Sequence, residues 1–394
     1  MISRKDASKL ILKHAKPVAS EEIDLRRALN RVLASDVKSP IDHPIFDQSA
    51  MDGYCFSHSS VSQTSVLTLC GEIQAGGNSE IVVGPGECAR IFTGAKLPAS
   101  CDTVIIQEKT VAEGVQITLT NTKLKPGANV RIAGEQLQRG EMALDTGSVL
   151  NSAAIGFLAS LGISKINVAK YPKVHIICTG NEFAKNQSEV GQGKIFESNG
   201  QMLVSCLSKL GIKAEYEVCT DHLKDLTDLI ALRENQHDLL LITGGVSVGD
   251  YDFTLPALEV NGYETIFHNI SQKPGKPLLF TAKETCTAFG LPGNPRAVLI
   301  CFLEYVRVYI MQVMGAKNPL LNQLWLPLTD SFSKKNDKRT HFLAAKMQGN
   351  GAELLNIQGS HMLSSMTDAQ GLIVLPPDRH EYQKGDMVEF HFLT

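Results

Sequence analysis

Leu239 to Ile242 are four consecutive apolar residues, broken at once by Thr243-Gly244-Gly245. The run is too short for a helix, and its lack of alternation suits a strand covered on both faces. Such a strand needs helices above and below its sheet, and the flanking sequence supplies them. Lys173–Cys178 and Ala214–Val218 read as strands, and Gly200–Leu210 and Leu223–Leu232 as helices. Leu278–Thr281 and Thr285–Phe289 read as further strands, followed by a long apolar helix over Ala297–Met314. Strands alternating with helices predict a doubly wound parallel sheet.

The chain has 394 residues, more than one core usually covers, so other domains must flank this sheet. Residues 4–15 and 21–34 read as helices, the second starting at Ser20 before Glu21-Glu22. Pro44-Ile-Phe-Asp-Gln-Ser-Ala-Met-Asp-Gly-Tyr54 is amphipathic at neither period; it is a linker or a loop presenting Asp47 and Asp52. From Val61 to Leu137, short β segments alternate with Gly and Pro turns, which predicts a small β-rich domain. Ala153, Ala154, Phe157, Leu158 and Leu161 form a helical stripe, and after Pro319 strands return.

A formal net charge of −3 gives no electrostatic reason to invoke nucleic acid or an acidic membrane, and no apolar run has the length of a membrane span. Nine cysteines without a C-x-x-C pair, and no apolar segment behind Met1, suit reduced thiols and a cytoplasmic protein.

In a doubly wound sheet, ligands sit beyond the carboxyl ends of the strands. Thr179, Gly180 and Glu182 follow the first strand and Asp221 the second. After Ile242 come Thr243, Gly244, Gly245, Ser247, Asp250 and Asp252. Lys273-Pro-Gly-Lys-Pro277 adds two cations, and Gly290-Leu-Pro-Gly-Asn-Pro295 a glycine turn with Gly293 and Asn294 before a helix. Taken singly, these are ordinary caps and turns. Together they suggest backbone donors for an anionic group, with Asp221, Asp250 and Asp252 as oxygen ligands for Mg²⁺. Cys178 and Cys219, at strand ends, read as buried structural thiols rather than nucleophiles.

Six motifs occur in order: residues 44–54, Ile91-Phe-Thr-Gly-Ala95, Thr179-Gly-Asn-Glu182, Thr243-Gly-Gly-Val-Ser-Val-Gly249 with Asp252, residues 273–277 and residues 290–295. With them the chain closely resembles the molybdopterin molybdenumtransferase family, which includes bacterial MoeA and the E domain of gephyrin. The resemblance implies four domains: a discontinuous helical domain (1–40 and 140–170), an inserted β-rich domain (41–139), a doubly wound α/β domain (171–318) and a C-terminal β barrel (319–394). It implies an L-shaped homodimer and a cleft shared between its copies. The reaction implied joins adenylylated molybdopterin and molybdate and releases AMP with a divalent cation, with the molybdopterin adenylyltransferase as a possible partner. The family's catalytic positions fall on Asp52, Thr93, Glu182, Asp221 and Asp252, its lysines on Lys273 and Lys276, and a molybdate-side serine on Ser360.

Three positions depart from the family pattern: Asn181 for an Asp, Asn269 for a lysine, and Ala344 for an arginine thought to hold molybdate. Arg339 or Lys346 is the expected substitute for the last. The alternative is a scaffold or molybdopterin-binding protein with weak catalysis, which the missing arginine would favour.

Overall fold

The structure, a computed structural model, describes residues 1–393 except 62, 63, 78–80, 122, 185, 192 and 247–251. Ser247 and Asp250 therefore lie outside the described residues. The chain forms two compact units, one of residues 1–35, 146–152 and 165–394, the other of residues 36–145 and 153–164.

The first unit is built on a six-stranded sheet. Its strand order is Ala214–Cys219, Val174–Thr179, Leu239–Thr243, Thr287–Leu291, Leu279–Ala282, Glu264–His268. The first four run parallel, but Leu279–Ala282 is antiparallel to both of its neighbours. The sheet is mixed and not wholly parallel as expected. The cause is local: the two strands from 279 to 291 are joined too closely for a crossover helix, so the chain can only turn back as a hairpin.

Side chains alternate between two cores. Ile176, Cys178, Leu239, Leu241, Phe280, Phe289 and Leu291 pack with helices Arg4–His14, Asn199–Lys209 and Pro295–Cys301. Ile177, Leu240, Ile242, Leu279 and Ala288 pack with helices Leu223–Glu234 and Thr254–Val260. The period of two puts every second residue on each face, which is why the 239–242 run is apolar throughout.

The long apolar helix is continuous from Pro295 to Val313 and contains a π turn at Phe302–Val306. Glu304, in that turn, is buried against the C-terminal strand, 2.7 Å from His391 Nδ1. Arg4 and Glu389 complete the group, with Arg4 Nη2 donating to Glu389 Oε1 at 3.0 Å.

The expected helix over 21–34 is absent. Ser20–Asp24 is a strand, paired antiparallel with Lys165–Ala169, and a short 3₁₀ turn follows at Leu25–Arg27. Asp24 accepts the Arg26 backbone N–H at 2.9 Å and caps only this short turn. Backbone pairing with a distant strand overrides the local signal.

The C-terminal strands form a half-barrel sheet: Gln272–Lys273, Thr340–Gln348, Gly371–Leu375, Met387–Phe392, Gln323–Pro327, with Gly351–Leu354 also on Thr340–Gln348. Among the described residues a single bridge, Leu328 to Ala352, with the Thr329 N–H donating to the Ala352 carbonyl at 3.1 Å, links the end of Gln323–Pro327 back to Gly351–Leu354 of this sheet. Its edge strand, Gln272–Lys273, comes from the lysine-bearing segment, so this sheet and the turns of the large sheet meet in one place.

The second unit is a six-stranded sheet, ordered Thr103–Ile106, Gly53–Phe56, Glu87–Ile91, Val66–Ile73, Gln116–Leu119, Thr110–Glu113. Residues 55, 89, 91 and 104 pack on one face and residues 56, 88 and 105 on the other, giving the β-rich character read from the Gly/Pro-broken pattern.

Candidate active site

A cleft of about 1100 Å³ opens at the carboxyl ends of Val174–Thr179, Leu239–Thr243 and Thr287–Leu291, and it is lined entirely by the first unit. The chain leaves Val174–Thr179 toward one edge strand and returns on its other side as Leu239–Thr243, so the cleft sits at the switch point where the topology leaves room for a ligand.

One wall consists of turns. Thr179, Glu182, Thr243, Gly244, Gly293 and Asn294 line it. Gly244 has φ +88°, and a Cβ there would stand 2.5 Å from the Thr179 carbonyl oxygen, so only glycine fits. Asn199 also lines this wall; its Nδ2 donates to the Gly293 carbonyl at 2.8 Å, while its buried Oδ1 has no partner among the described residues. Burial pushes the Cys178 thiol up to about 12 and the Cys219 thiol up to about 11, which fits inert structural cysteines.

Lys273 and Lys276 project from a turn that is held from below. Gln272, fully buried, donates to the Pro274 carbonyl at 3.0 Å and accepts from the Tyr305 hydroxyl. Tyr305 lies in the π turn, so the widened helix reaches the lysine turn directly. Gly275, at φ +88°, leaves space that a Cβ would close against Cys301 Sγ at 2.6 Å.

The opposite wall was largely invisible to the sequence. Lys334, Lys335, Arg339, His341, Gln358 and Ser360 line it, and of these only Ser360 was expected as a site residue and Arg339 as a substitute cation. Lys334 is buried, donates to the Arg339 carbonyl at 2.8 Å and to that of Pro376, and has its pKa lowered by burial. Arg339 is already paired with Asp337 at 2.6 Å. Ser360 accepts from Asn294 Nδ2 at 3.2 Å, tying the two walls together. Among the described residues, the lining carries Lys273, Lys276, Lys334, Lys335 and Arg339 against one carboxylate, Glu182, with Asp337 behind the lining pairing Arg339. That imbalance selects an anionic occupant.

Not every expected residue lines this cleft. Gly180, Gly245, Asp221 and Asp252 are outside the lining. Asp221 and Asn181 exchange bonds: Asn181 N–H donates to Asp221 Oδ2 at 3.2 Å, and Asp221 N–H to Asn181 Oδ1 at 3.1 Å. The neutral amide thus sits beside a carboxylate without adding a second negative charge. Asp52 and Thr93 belong to the second unit and are bonded to each other. Thr93 N–H and Oγ1 donate to Asp52 Oδ1 at 2.8 and 2.7 Å, which holds the Asp52 carboxyl below its usual range. Asn269 adopts φ +73°, a left-handed conformation that asparagine tolerates better than lysine.

Lys346, the other expected substitute cation, lies apart from this cleft. It is absent from the lining and pairs with Glu353 at 3.3 Å, its cross-strand neighbour.

Among the described residues no group of three or more His, Cys, Asp or Glu could hold a metal by itself. Carboxylates at Asp221 and Asp252 nevertheless have the oxygen chemistry of a hard cation. Mg²⁺ is commonly bound by one or two carboxylates, with substrate phosphates and water completing its shell.

Residues 2–162 match the family described as MoeA N-terminal region (domain I and II), residues 175–312 the probable molybdopterin binding domain, and residues 326–393 the MoeA C-terminal region (domain IV). The molybdopterin molybdenumtransferase of Haemophilus influenzae is 32% identical over 97% of this chain and 96% of its own length. That of Staphylococcus epidermidis is 30% identical over 98% and 94% respectively. The crystal structure of the molybdopterin biosynthesis moeA protein from Pyrococcus horikoshii superposes with a TM-score of 0.85 over all of both chains, at 28% identity.

Proposed function

The chain belongs to the MoeA family of molybdopterin molybdenumtransferases, and we propose that it inserts molybdate into adenylylated molybdopterin, with release of AMP, in the cleft above the large sheet. The observation that carries this is the cationic lining, with Lys273 and Lys276 on a turn clamped by Gln272 and facing Ser360 across the cleft. Phosphate and molybdate are both oxyanions, and a lining richer in cations than in carboxylates offsets their charge.

In this reading Lys273 and Lys276 bind the oxyanions, Ser360 and Asn294 orient molybdate by hydrogen bonds, and the Thr179, Thr243 and Gly244 turns approach the adenylate. The unpartnered Asn199 Oδ1 accepts a hydrogen from the bound substrate. Asp221 and Asp252 would hold Mg²⁺, with Asp250 a further candidate; the cation would offset charge on the phosphate as the anhydride breaks. Glu182 is the acid positioned to manage a proton at the cleft. A cytoplasmic homodimer belongs to the same reading, with Asp52 and Thr93 supplied by the second copy. An adenylyltransferase is the class of enzyme that must deliver the substrate. The division into four domains is kept as part of the proposal.

The test is AMP release from adenylylated molybdopterin with Mg²⁺ and molybdate. Asp252→Ala should abolish it in a folded protein, and unaltered release would remove Asp252 from the mechanism. Light scattering that showed only a 42.8 kDa species would remove the second copy.

A further inference from the structure

Arg296 is completely buried, and no carboxylate pairs with it among the described residues. Burial of so large a cation is costly without a counter-charge. Its guanidinium donates to Gln358 Oε1 and makes long contacts, 3.5 Å each, to the Ile357 and Phe342 carbonyls. Its Nε has no partner among the described residues. A buried guanidinium left this incompletely satisfied calls for an explanation, and its surroundings provide one.

Arg296 lies one turn before Ile300 on the same helix face, and Ile300 packs in one cluster with Phe342 and Ala344. Gln358, which accepts from Arg296, also accepts the Ala344 N–H at 3.0 Å and donates to the Ala344 carbonyl at 2.9 Å. The guanidinium therefore reaches the part of the strand where Ala344 contributes only a methyl group. An arginine at 344 would bring a second cation to the same buried spot. Phe342, Gln358, Ser360, Asn294 and Ala297 all line the cleft, so Arg296 lies one layer beneath its surface.

Resting on the reading of the cleft given above, we propose that Arg296 is the positioning residue of an oxyanion subsite formed by Ser360 and Asn294, acting through Gln358, whose own amide hydrogens are committed to the Ala344 and Leu355 carbonyls. Its charge, delivered from the helix, takes the place of one on the strand Thr340–Gln348 and sets the affinity for a tetrahedral dianion. Through Gln358 it also fixes the segment that carries Ser360. Burial lowers its pKa to about 10, so it keeps its proton at neutral pH.

Equilibrium dialysis of the full chain against molybdate alone, with sulfate as competitor, tests this. Arg296→Met should bind molybdate about ten- to a hundredfold more weakly, because the subsite loses the buried charge beneath it and the anchor of Gln358. In turnover the loss should appear in KM for molybdate and not in kcat. Arg296→Lys keeps the charge without the planar fork and should retain most of the affinity. The double variant Arg296→Val with Ala344→Arg, which moves the guanidinium from helix to strand, should restore binding. Parent-like affinity in Arg296→Met overturns the proposal. So does Arg296→Lys binding as weakly as Arg296→Met, because the effect would then be structural. Should Arg296→Met not fold, a folded double variant that fails to bind molybdate is equally decisive against it. A parent protein that binds no molybdate defeats the functional reading and this proposal together, whereas a binding parent matched by Arg296→Met defeats only the proposal.

Discussion

The two walls of the cleft are made in different ways. The turn wall uses glycines, threonines and backbone groups at the ends of buried strands, each placed by residues a few positions away. The basic wall uses long cationic side chains on strands and loops from the last quarter of the chain, placed by pairing with the edge strand Gln272–Lys273. Shape is therefore concentrated in the first wall and charge in the second, with Lys273 and Lys276 at their junction. Damage to the first should cost fold and chemistry together, and damage to the second should cost binding alone.

The sharpest test is Gly244→Val. At φ +88°, with a Cβ 2.5 Å from the Thr179 carbonyl oxygen, valine has neither the backbone conformation nor the space. We expect loss of AMP release and destabilisation of more than about 2 kcal/mol by urea unfolding. Parent-like stability would show the turn wall to be looser than its geometry says. Lys276→Ala comes next: kcat/KM for AMP release should fall about ten- to a hundredfold with unchanged stability, and the deficit should shrink at high salt. A loss insensitive to salt would mean the lysine shapes the turn more than it supplies charge.

A third test leaves the cleft. Burial opposes the charged form of His391, but the bonds to Glu304 and Glu389 outweigh it and raise its pKa to about 9; Arg4 is the other charged group of this cluster. The unfolded imidazole titrates near 6.5. The stabilisation is complete below that pH and disappears as pH rises through about 9. Melting temperature should fall across this window in the parent and less so in His391→Gln; equal falls would exclude the cluster as the cause. The smallest effect belongs to Lys346→Ala. Because Lys346 pairs with Glu353 outside the lining, molybdate KM should change less than about twofold, as for an ordinary surface pair. A larger change would return Lys346 to the site.

The contrast between walls also explains what the sequence made legible. The 239–242 run, the Thr243-Gly244-Gly245 break and the lysine turn are local patterns, and each lies where its period and turn chemistry put it. Lys334 and Lys335 sit in a stretch that reads as solvated charge, because nothing nearby in sequence says which turn they will face. Arg296 was missed for a related reason: beside Asn294-Pro295 it reads as a polar residue at a helix start. Its role depends on Ala344, whose small side chain has meaning only once the strand lies against the helix. The strand Ser20–Asp24 was misread because its partner, Lys165–Ala169, is remote in sequence and its acids mimic a helical first turn.

The Tyr305–Gln272 contact ties a surface turn to the middle of a core helix. Local opening of residues 272–276 would have to break a buried hydrogen bond and disturb the packing of the π turn, so this turn cannot fray as an exposed loop ordinarily does. Its amides belong with the slowly exchanging interior. Substrate entry and product release would then draw on movement elsewhere on the rim, while the backbone that carries the two lysines stays in place.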